Sequence, residues 1–106
     1  MEGIELVSFQ IIASVGAAKS LYVEAIRAAK EKDFDLAEKK MEEALQTYNE
    51  GHHAHARLIQ QEADETKDPV QINLILMHAE DQMITTDLLR TIAEEMIEMY
   101  KVIYQE

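Results

Sequence analysis

Residues 70–104, VQINLILMHAEDQMITTDLLRTIAEEMIEMYKVIY, contain neither proline nor glycine. Apolar residues recur in this stretch every three or four positions, which is the spacing of one face of an α-helix. At about 1.5 Å per residue the stretch would form a rod of about 50 Å, which is long for a chain of 106 residues. The stretch therefore predicts a long third helix and an all-α fold. Its main stripe is Val70, Leu74, Met77, Asp81, Ile84, Leu88, Ile92, Met96, Met99 and Ile103, and a second row beside it is Ile75, His78, Gln82, Thr85 and Leu89.

Two polar segments, ADETKDP and KEKDF, mark where the third and second helices begin. Asp68 suits a helix N-cap and Pro69 suits the first helical position, so the third helix is predicted over about residues 69–104. Asp33 can likewise accept hydrogen bonds from the free amides at the start of a second helix, predicted over about residues 34–62. The expected apolar stripe of that second helix is Ala37, Met41, Ala44, Tyr48, Gly51, His55 and Leu58.

The first helix is predicted over about residues 4–30, where apolar residues from Val7 to Ala25 step by three and four. With only 3 glycines and 1 proline, the chain has the composition of a helical protein with few tight turns. Three long rods joined by short loops predict a single domain over residues 1–106, folded as an up-down-up three-helix bundle. Apolar faces this wide predict burial against further copies of the chain.

The charge of the chain limits its partners. The 21 acidic residues outnumber the 10 basic residues and give a formal net charge of −11. Such a chain repels nucleic acid and favours basic protein surfaces instead. The chain has no cysteine, its N-terminal stretch MEGIELVSFQ lacks the positive charge of a signal peptide, and its apolar runs are expected to fall short of a membrane span. A cytoplasmic protein without direct membrane insertion is expected.

Asp81 interrupts the main stripe of the third helix with a carboxylate. Burying an isolated carboxylate is costly unless it is paired, protonated or bound to a cation. Two interpretations are open. In one, Asp81 lies at a partly exposed edge of an interface. In the other, it lies on the symmetry axis of an oligomer, where it meets its own copies and holds a metal ion with them.

His78 lies one position from the stripe, so its ring should line the shoulder of the interface with a nitrogen able to reach solvent. Many histidines in such places only satisfy local packing. A neutral imidazole is also a good nucleophile for phosphorus when its other nitrogen carries the proton. The pattern permits both roles, and Glu80 and Gln82 flank the ring.

The run EGHHAH contains the other three histidines of the chain. Glu50 and His53 form one Glu-x-x-His pair, but the third helix offers no second pair, so a di-iron site is not expected. His52 and His55 share a helix face and could hold zinc together with an acidic residue. The alternative, which the pattern favours, is that they are polar residues near a helix interface.

Four stretches match the motifs of a known family. VGAAKS at residues 15–20 is similar to a Gly-x-Ala-Arg-Ser segment, with Lys19 in place of arginine. KDFDLAEKKMEEA at 32–44 follows a Gly-Asp-Phe helix start, and NEGHHAHARLIQQEA at 49–63 follows the ending of the same helix. MHAEDQMITT at 77–86 resembles the active-site segment His-x-Gln-Asp-His-Leu-Met. Over nearly its whole length the chain resembles the lactose/cellobiose-type enzyme IIA of the bacterial sugar phosphotransferase system.

The resemblance implies a phosphocarrier. The histidine matching His78 takes a phosphoryl group from the phosphohistidine of HPr and passes it to the cysteine of the cognate enzyme IIB, during uptake of a lactose/cellobiose-type disaccharide. The family is a homotrimer whose helices form a single nine-helix bundle. In it, the aspartate matching Asp81 meets its two copies around a divalent metal ion, and an oxygen-only site of this kind favours Mg²⁺.

The chain departs from the family pattern near the active-site segment. Gln82 stands where a second histidine is frequent, and Glu80 stands where glutamine is frequent, so neither residue is assigned a catalytic role. Lys32 replaces the glycine before the second helix. Two alternatives to the phosphocarrier remain: a non-enzymatic helical oligomer in which His78 and Asp81 only specify packing, and a metal-storing protein built on EGHHAH.

Overall fold

The computed structural model describes residues 3–105, which form three long helices. Helix α1 spans Gly3–Lys30, α2 spans Phe34–Ala63 and α3 spans Leu74–Ile103, with no β-strand in the described range. The all-α, up-down-up bundle predicted from the sequence is confirmed. The molecule measures 61 × 24 × 19 Å, and its radius of gyration is 16.7 Å, against about 13 Å for a compact domain of this length. The chain is a rod with a large surface for its mass.

Helix α1 is the centre of the packing. It contacts both other helices along much of its length, whereas α2 and α3 touch each other at few positions. Many of the buried residues are alanines, which let the helix axes approach closely. The tightest approach is at Gly51, where an added Cβ would lie 3.2 Å from Cγ1 of Val15. The largest core cluster comprises Ile11, Val15, Ala54, Leu58, Leu76, Ala79 and Met83.

The turn between α1 and α2 is a Schellman motif followed directly by a helix cap. The Asp33 amide donates to the Ala28 carbonyl at 2.9 Å, and the Lys32 amide donates to the Ala29 carbonyl at 3.0 Å. Lys32 has φ 67°, in the left-handed region that favours glycine. The Asp33 carboxylate then accepts from the Leu36 amide at 3.1 Å, which confirms Asp33 as the N-cap of α2.

Helix α3 begins later than the sequence predicts. The expected start, with Asp68 as N-cap and Pro69 as the first helical residue, is wrong. Asn73 is the cap, because its side-chain oxygen accepts from the amide three residues further along at 2.9 Å. The chain before it is held away from helical geometry by α2, since the Val70 amide donates to the Glu62 carboxylate at 2.9 Å. The proline therefore lies in the connecting loop.

Two faces of α3 are apolar, and only one of them is buried within the chain. From Leu74 onward, the main stripe predicted from the sequence lies on the other face and is mostly exposed: Leu74 is 79% exposed and Ile84 is 68% exposed. Val70, the first residue of the predicted stripe, precedes α3 and packs against the core. The buried row is less conspicuous in the sequence than the stripe, because alanine and threonine make it less hydrophobic. The buried row is Leu76, Ala79, Met83, Thr86, Ala93 and Ile97.

By length and composition alone, α1 could cross a membrane, since an 18-residue window of it has a mean hydropathy of 1.4. This corrects the expectation that no apolar run reaches that length. In the fold, α1 turns one row of residues into the core, while Lys19, Glu24 and Arg27 lie exposed on other faces. Within the described bundle, 28% of that apolar window is buried, so packing against α2 and α3 covers only part of it.

Candidate functional site

His78 and Asp81 lie about one turn apart on the exposed side of α3. Among residues 3–105, neither side chain has a hydrogen bond or an ion pair with another residue. Their apolar neighbours on this side are open to solvent as well, Met77 being 55% exposed. An exposed imidazole can act as a nucleophile, and an unpaired carboxylate can accept a cation. Both side chains are thus available for the chemistry expected of them.

A groove of about 310 Å³ runs between α2 and α3 on the flank of the bundle. In it, Nε2 of His55 lies 3.0 Å from Oε1 of Glu80. Tyr48 and Asp87 add to the polar lining, and burial raises the pKa of the Tyr48 phenol, so its hydroxyl stays protonated at neutral pH. His78 is not among the residues that line this groove.

The EGHHAH run is split between two surfaces of α2. His52 and His55 face the groove, and the ring of His52 stacks on Tyr48 with 6.3 Å between centroids. His53 is exposed outside it. Within the described part of a single chain, no three histidine, aspartate or glutamate side chains are placed to hold a metal ion. His52 and His55 contribute polar side chains to the interface between α2 and α3.

Basic residues are absent from the part of α3 that carries His78. From Leu74 to Leu89, α3 carries three acidic residues and no lysine or arginine. The first cation after that range, Arg90, is already paired with Asp87 at 3.2 Å and Glu94 at 3.9 Å. A phosphoryl group on His78 would therefore find little neutralising charge on its own helix.

Sequence reasoning missed the contact between His55 and Glu80. His55 belongs to the α2 stripe predicted from the sequence. The structure is what shows that Glu80 lies on the side of α3 that turns toward α2. Which residues of the two stripes stand opposite each other depends on the axial register of the helices, which the packing on α1 decides.

The family of the chain follows from comparison with known proteins. The model of the family described as "PTS system, Lactose/Cellobiose specific IIA subunit" matches residues 6–101. The chain belongs to this family. This enzyme IIA is 36% identical over 98 residues to the lactose-specific EIIA component of Staphylococcus epidermidis, covering 92% of each chain. It is 35% identical over 105 residues to the lichenan-specific enzyme IIA component of Bacillus subtilis, covering 99% of this chain and 94% of that one.

Solved structures give the same result. The crystal structure of the cellobiose-specific enzyme IIA from Bacillus anthracis matches with a TM-score of 0.89 and 32% identity, covering 97% of this enzyme IIA and 94% of that chain. A solution structure of the IIA(Chitobiose)–HPr complex of Escherichia coli matches with a TM-score of 0.83 and 31% identity, covering 99% and 100% of the two chains. The resemblance drawn from the motifs is confirmed, and the chain is a phosphoryl-carrying component of a sugar phosphotransferase system.

Proposed function

We propose that this enzyme IIA accepts a phosphoryl group from phospho-HPr on His78 and passes it to the cysteine of its cognate enzyme IIB. The observation that carries the assignment is the exposed imidazole of His78, within the stretch 77–86 that resembles the active-site segment of the family. The solved complex of the related IIA(Chitobiose) with HPr supports HPr as the donor.

The chemistry consists of two in-line displacements. A neutral nitrogen of His78 attacks the phosphorus of phospho-HPr, so a new N–P bond forms while the N–P bond to the HPr histidine breaks. The thiolate of enzyme IIB then attacks the same phosphorus, forming an S–P bond and returning the His78 imidazole. Positioning and stabilisation of charge on the equatorial oxygens supply most of the catalysis in such transfers.

The partners are expected to supply the cationic groups that this chain lacks near His78. Its own helix carries three carboxylates and no lysine or arginine from Leu74 to Leu89. Basic side chains or helix N-termini of the partner can bind the phosphoryl oxygens and also the acidic surface around them. The net charge of −11 favours fast encounter with a basic docking surface.

The exposed stripe of α3 supports a homotrimer. Leu88 is 59% exposed and Ile92 is 44% exposed, and a stripe of this length is expected to be buried against other copies. A threefold axis along the stripe would bring three Asp81 carboxylates together at one point. A bound cation or shared protons would then be needed to relieve the repulsion between these carboxylates.

Asp81 fits the proposed metal in its chemistry. Its carboxylate is unpaired among the described residues and offers only oxygen ligands, which suit Mg²⁺. A single chain contributes one such group at this place, so one ion would be shared by the Asp81 side chains of three chains. Its role is to relieve repulsion between the carboxylates and so stabilise the assembly.

The transported sugar is proposed from the relatives. The names of those relatives include lactose, lichenan, cellobiose and chitobiose. A β-linked disaccharide of this general type is the proposed substrate of the transport system. Recognition of the sugar belongs to the membrane component, and this enzyme IIA is proposed to act in the cytoplasm.

Phosphate transfer from radiolabelled phosphoenolpyruvate, through enzyme I and HPr, tests the proposal. Wild-type protein is expected to take up label that is labile in acid and stable in base, and to lose it when cognate enzyme IIB is added. His78→Ala should fold and assemble normally but take up no label, since alanine removes the nucleophile from an exposed position and costs little packing.

Single replacements of His52, His53 and His55 by alanine are the matched controls. Each variant should keep appreciable phosphoryl acceptance. Loss of all label from one of them, with the fold intact, would move the phosphorylation site to α2, whereas wild-type protein that takes up no label would favour one of the alternatives considered from the sequence.

A further inference from the structure

The contact between His55 and Glu80 has no part in the function proposed so far. Among residues 3–105 it is the only hydrogen bond or ion pair between side chains that joins α2 to α3. An ionised carboxylate can only accept hydrogen bonds, so Nε2 of His55 carries the proton that it shares with Glu80. The contact thus fixes both the direction of the carboxylate and the tautomer of the imidazole.

The position of Glu80 relative to His78 gives the contact its significance. At about 100° per residue, the two side chains lie about 200° apart around α3, on opposite shoulders of the exposed stripe. In a cyclic assembly the two shoulders of one copy face different neighbours. In the proposed trimer, the shoulder with Glu80 therefore faces the His78 shoulder of an adjacent chain.

An unrestrained Glu80 would oppose phosphoryl transfer. The phosphoryl group is a dianion, and α3 carries no lysine or arginine from Leu74 to Leu89 that could neutralise it. Glu80 also stands where the family motif has an uncharged glutamine, so the chain carries one more negative charge here than the motif does. The structure shows the compensating group, because His55 reaches across the groove and binds this carboxylate.

We propose that His55 is a positioning residue for phosphoryl transfer, which holds the Glu80 carboxylate in the α2–α3 groove and weakens its repulsion of the phosphoryl group on His78. The proposal rests on the function and the trimer proposed above. His55 does not touch the reacting atoms. It acts through Glu80. Together, the paired His55 and Glu80 take the place of the uncharged glutamine that is frequent at this position of the family motif.

The test uses four full-length proteins: wild type, His55→Ala, Glu80→Gln and the double variant. The rate of phosphoryl transfer from radiolabelled phospho-HPr is measured at low ionic strength. The alanine side chain has no hydrogen-bond donor, so freeing Glu80 in His55→Ala should slow the transfer by roughly three- to tenfold. The transfer rate of Glu80→Gln should match or exceed that of wild type. The double variant should have the same rate as Glu80→Gln, because position 80 then carries no charge for residue 55 to restrain.

Salt dependence separates this effect from a loss of packing. Repulsion from a freed carboxylate is screened, so the deficit of His55→Ala should shrink as salt is raised from low to high concentration. His53→Ala is the matched control, since His53 is exposed outside the groove and its replacement should leave the rate unchanged. Sedimentation of every variant reports the assembly state.

Several results would overturn the proposal. These are an unchanged rate in His55→Ala, a deficit that Glu80→Gln fails to rescue, and loss of the trimer in His55→Ala that Glu80→Gln does not restore. The last two would assign His55 a structural role in joining the helices. Failure of the proposed function itself looks different, because then wild type and all variants would take up no label.

Discussion

His78 and Asp81 can be recognised in the sequence because each is a polar side chain on a face of α3 that is otherwise mostly apolar. Both could be located from helical spacing in the sequence, and the structure places both on the exposed side. The pairing of His55 with Glu80 could not be predicted in this way, because it depends on how far α2 is shifted along α3. Patterns within a helix are local, whereas contacts between helices follow from packing of the whole bundle.

Tyr22 gives a prediction at the residue scale. Its hydroxyl is buried and has no hydrogen-bond partner among the described residues. Tyr22→Phe removes this unpaired polar atom, so the free energy of unfolding at neutral pH should stay the same or rise by up to about 1 kcal/mol. Urea unfolding of both proteins measures the difference. A clear loss of stability in the variant would show that the hydroxyl makes a favourable interaction.

The same residue predicts a difference at alkaline pH. Burial raises the pKa of Tyr22 above its ordinary value of 10.0, so the folded state favours the neutral phenol. The stability from this group is complete below pH 10.0 and is lost as pH rises through the raised pKa. Tyr22→Phe should remove this part of the alkaline decline. Equal declines in the two proteins would contradict the account.

At the scale of the helices, a cap was predicted correctly where neighbouring residues determine the start of the helix. It was predicted wrongly where a contact between two different elements determines that start. Asp33 caps α2 as expected, because a Schellman turn delivers it directly to the helix start. Asp68 followed by Pro69 carries an equally good signal, yet α3 starts after Asn73. The contact of Val70 with Glu62 was the missing information, since it joins residues from two different elements.

Lys32 gives a prediction at this scale. A residue with a Cβ is strained at φ 67°, by about 1–2 kcal/mol. The Lys32 ammonium offsets part of this cost, because it lies 4.8 Å from the centre of the Tyr104 ring. Lys32→Gly and Lys32→Ala both lose the ammonium, but only glycine relieves the strain. Lys32→Gly should therefore be more stable than Lys32→Ala by about 1 kcal/mol in urea unfolding, and equal stabilities would contradict the account.

At the scale of the whole molecule, the rod exposes the most regular apolar surface that it has. Ile84 and Leu88 are exposed in the single chain, while the less hydrophobic side of α3 packs on its own bundle. The three-helix fold was predictable from periodicity and loop length. The division of α3 into an inner and an outer face was not, because both faces satisfy the same spacing and only the packing on α1 distinguishes them.

Asp81 provides the prediction at this scale. If three copies converge on an axis, Asp81→Leu replaces a cluster of like charges by an unbroken apolar stripe. Such replacements are often neutral or stabilising by about 1–4 kcal/mol. The variant should stay trimeric, lose any dependence on divalent metal, and melt at the same or a higher temperature than wild type.

Sedimentation and thermal melting with and without a chelator measure these properties in both proteins. Dissociation of Asp81→Leu into monomers would show that Asp81 makes a specific stabilising contact. The account of an axial carboxylate cluster would then be abandoned.

The central claim is that His78 carries the phosphoryl group, and locating the phosphate tests it most directly. The protein is phosphorylated through enzyme I and HPr, kept at alkaline pH, digested, and analysed by mass spectrometry with fragmentation that preserves the N–P bond. The account predicts one phosphoryl group per chain, on His78. Phosphate on His52, His53 or His55, or on no histidine at all, would contradict it.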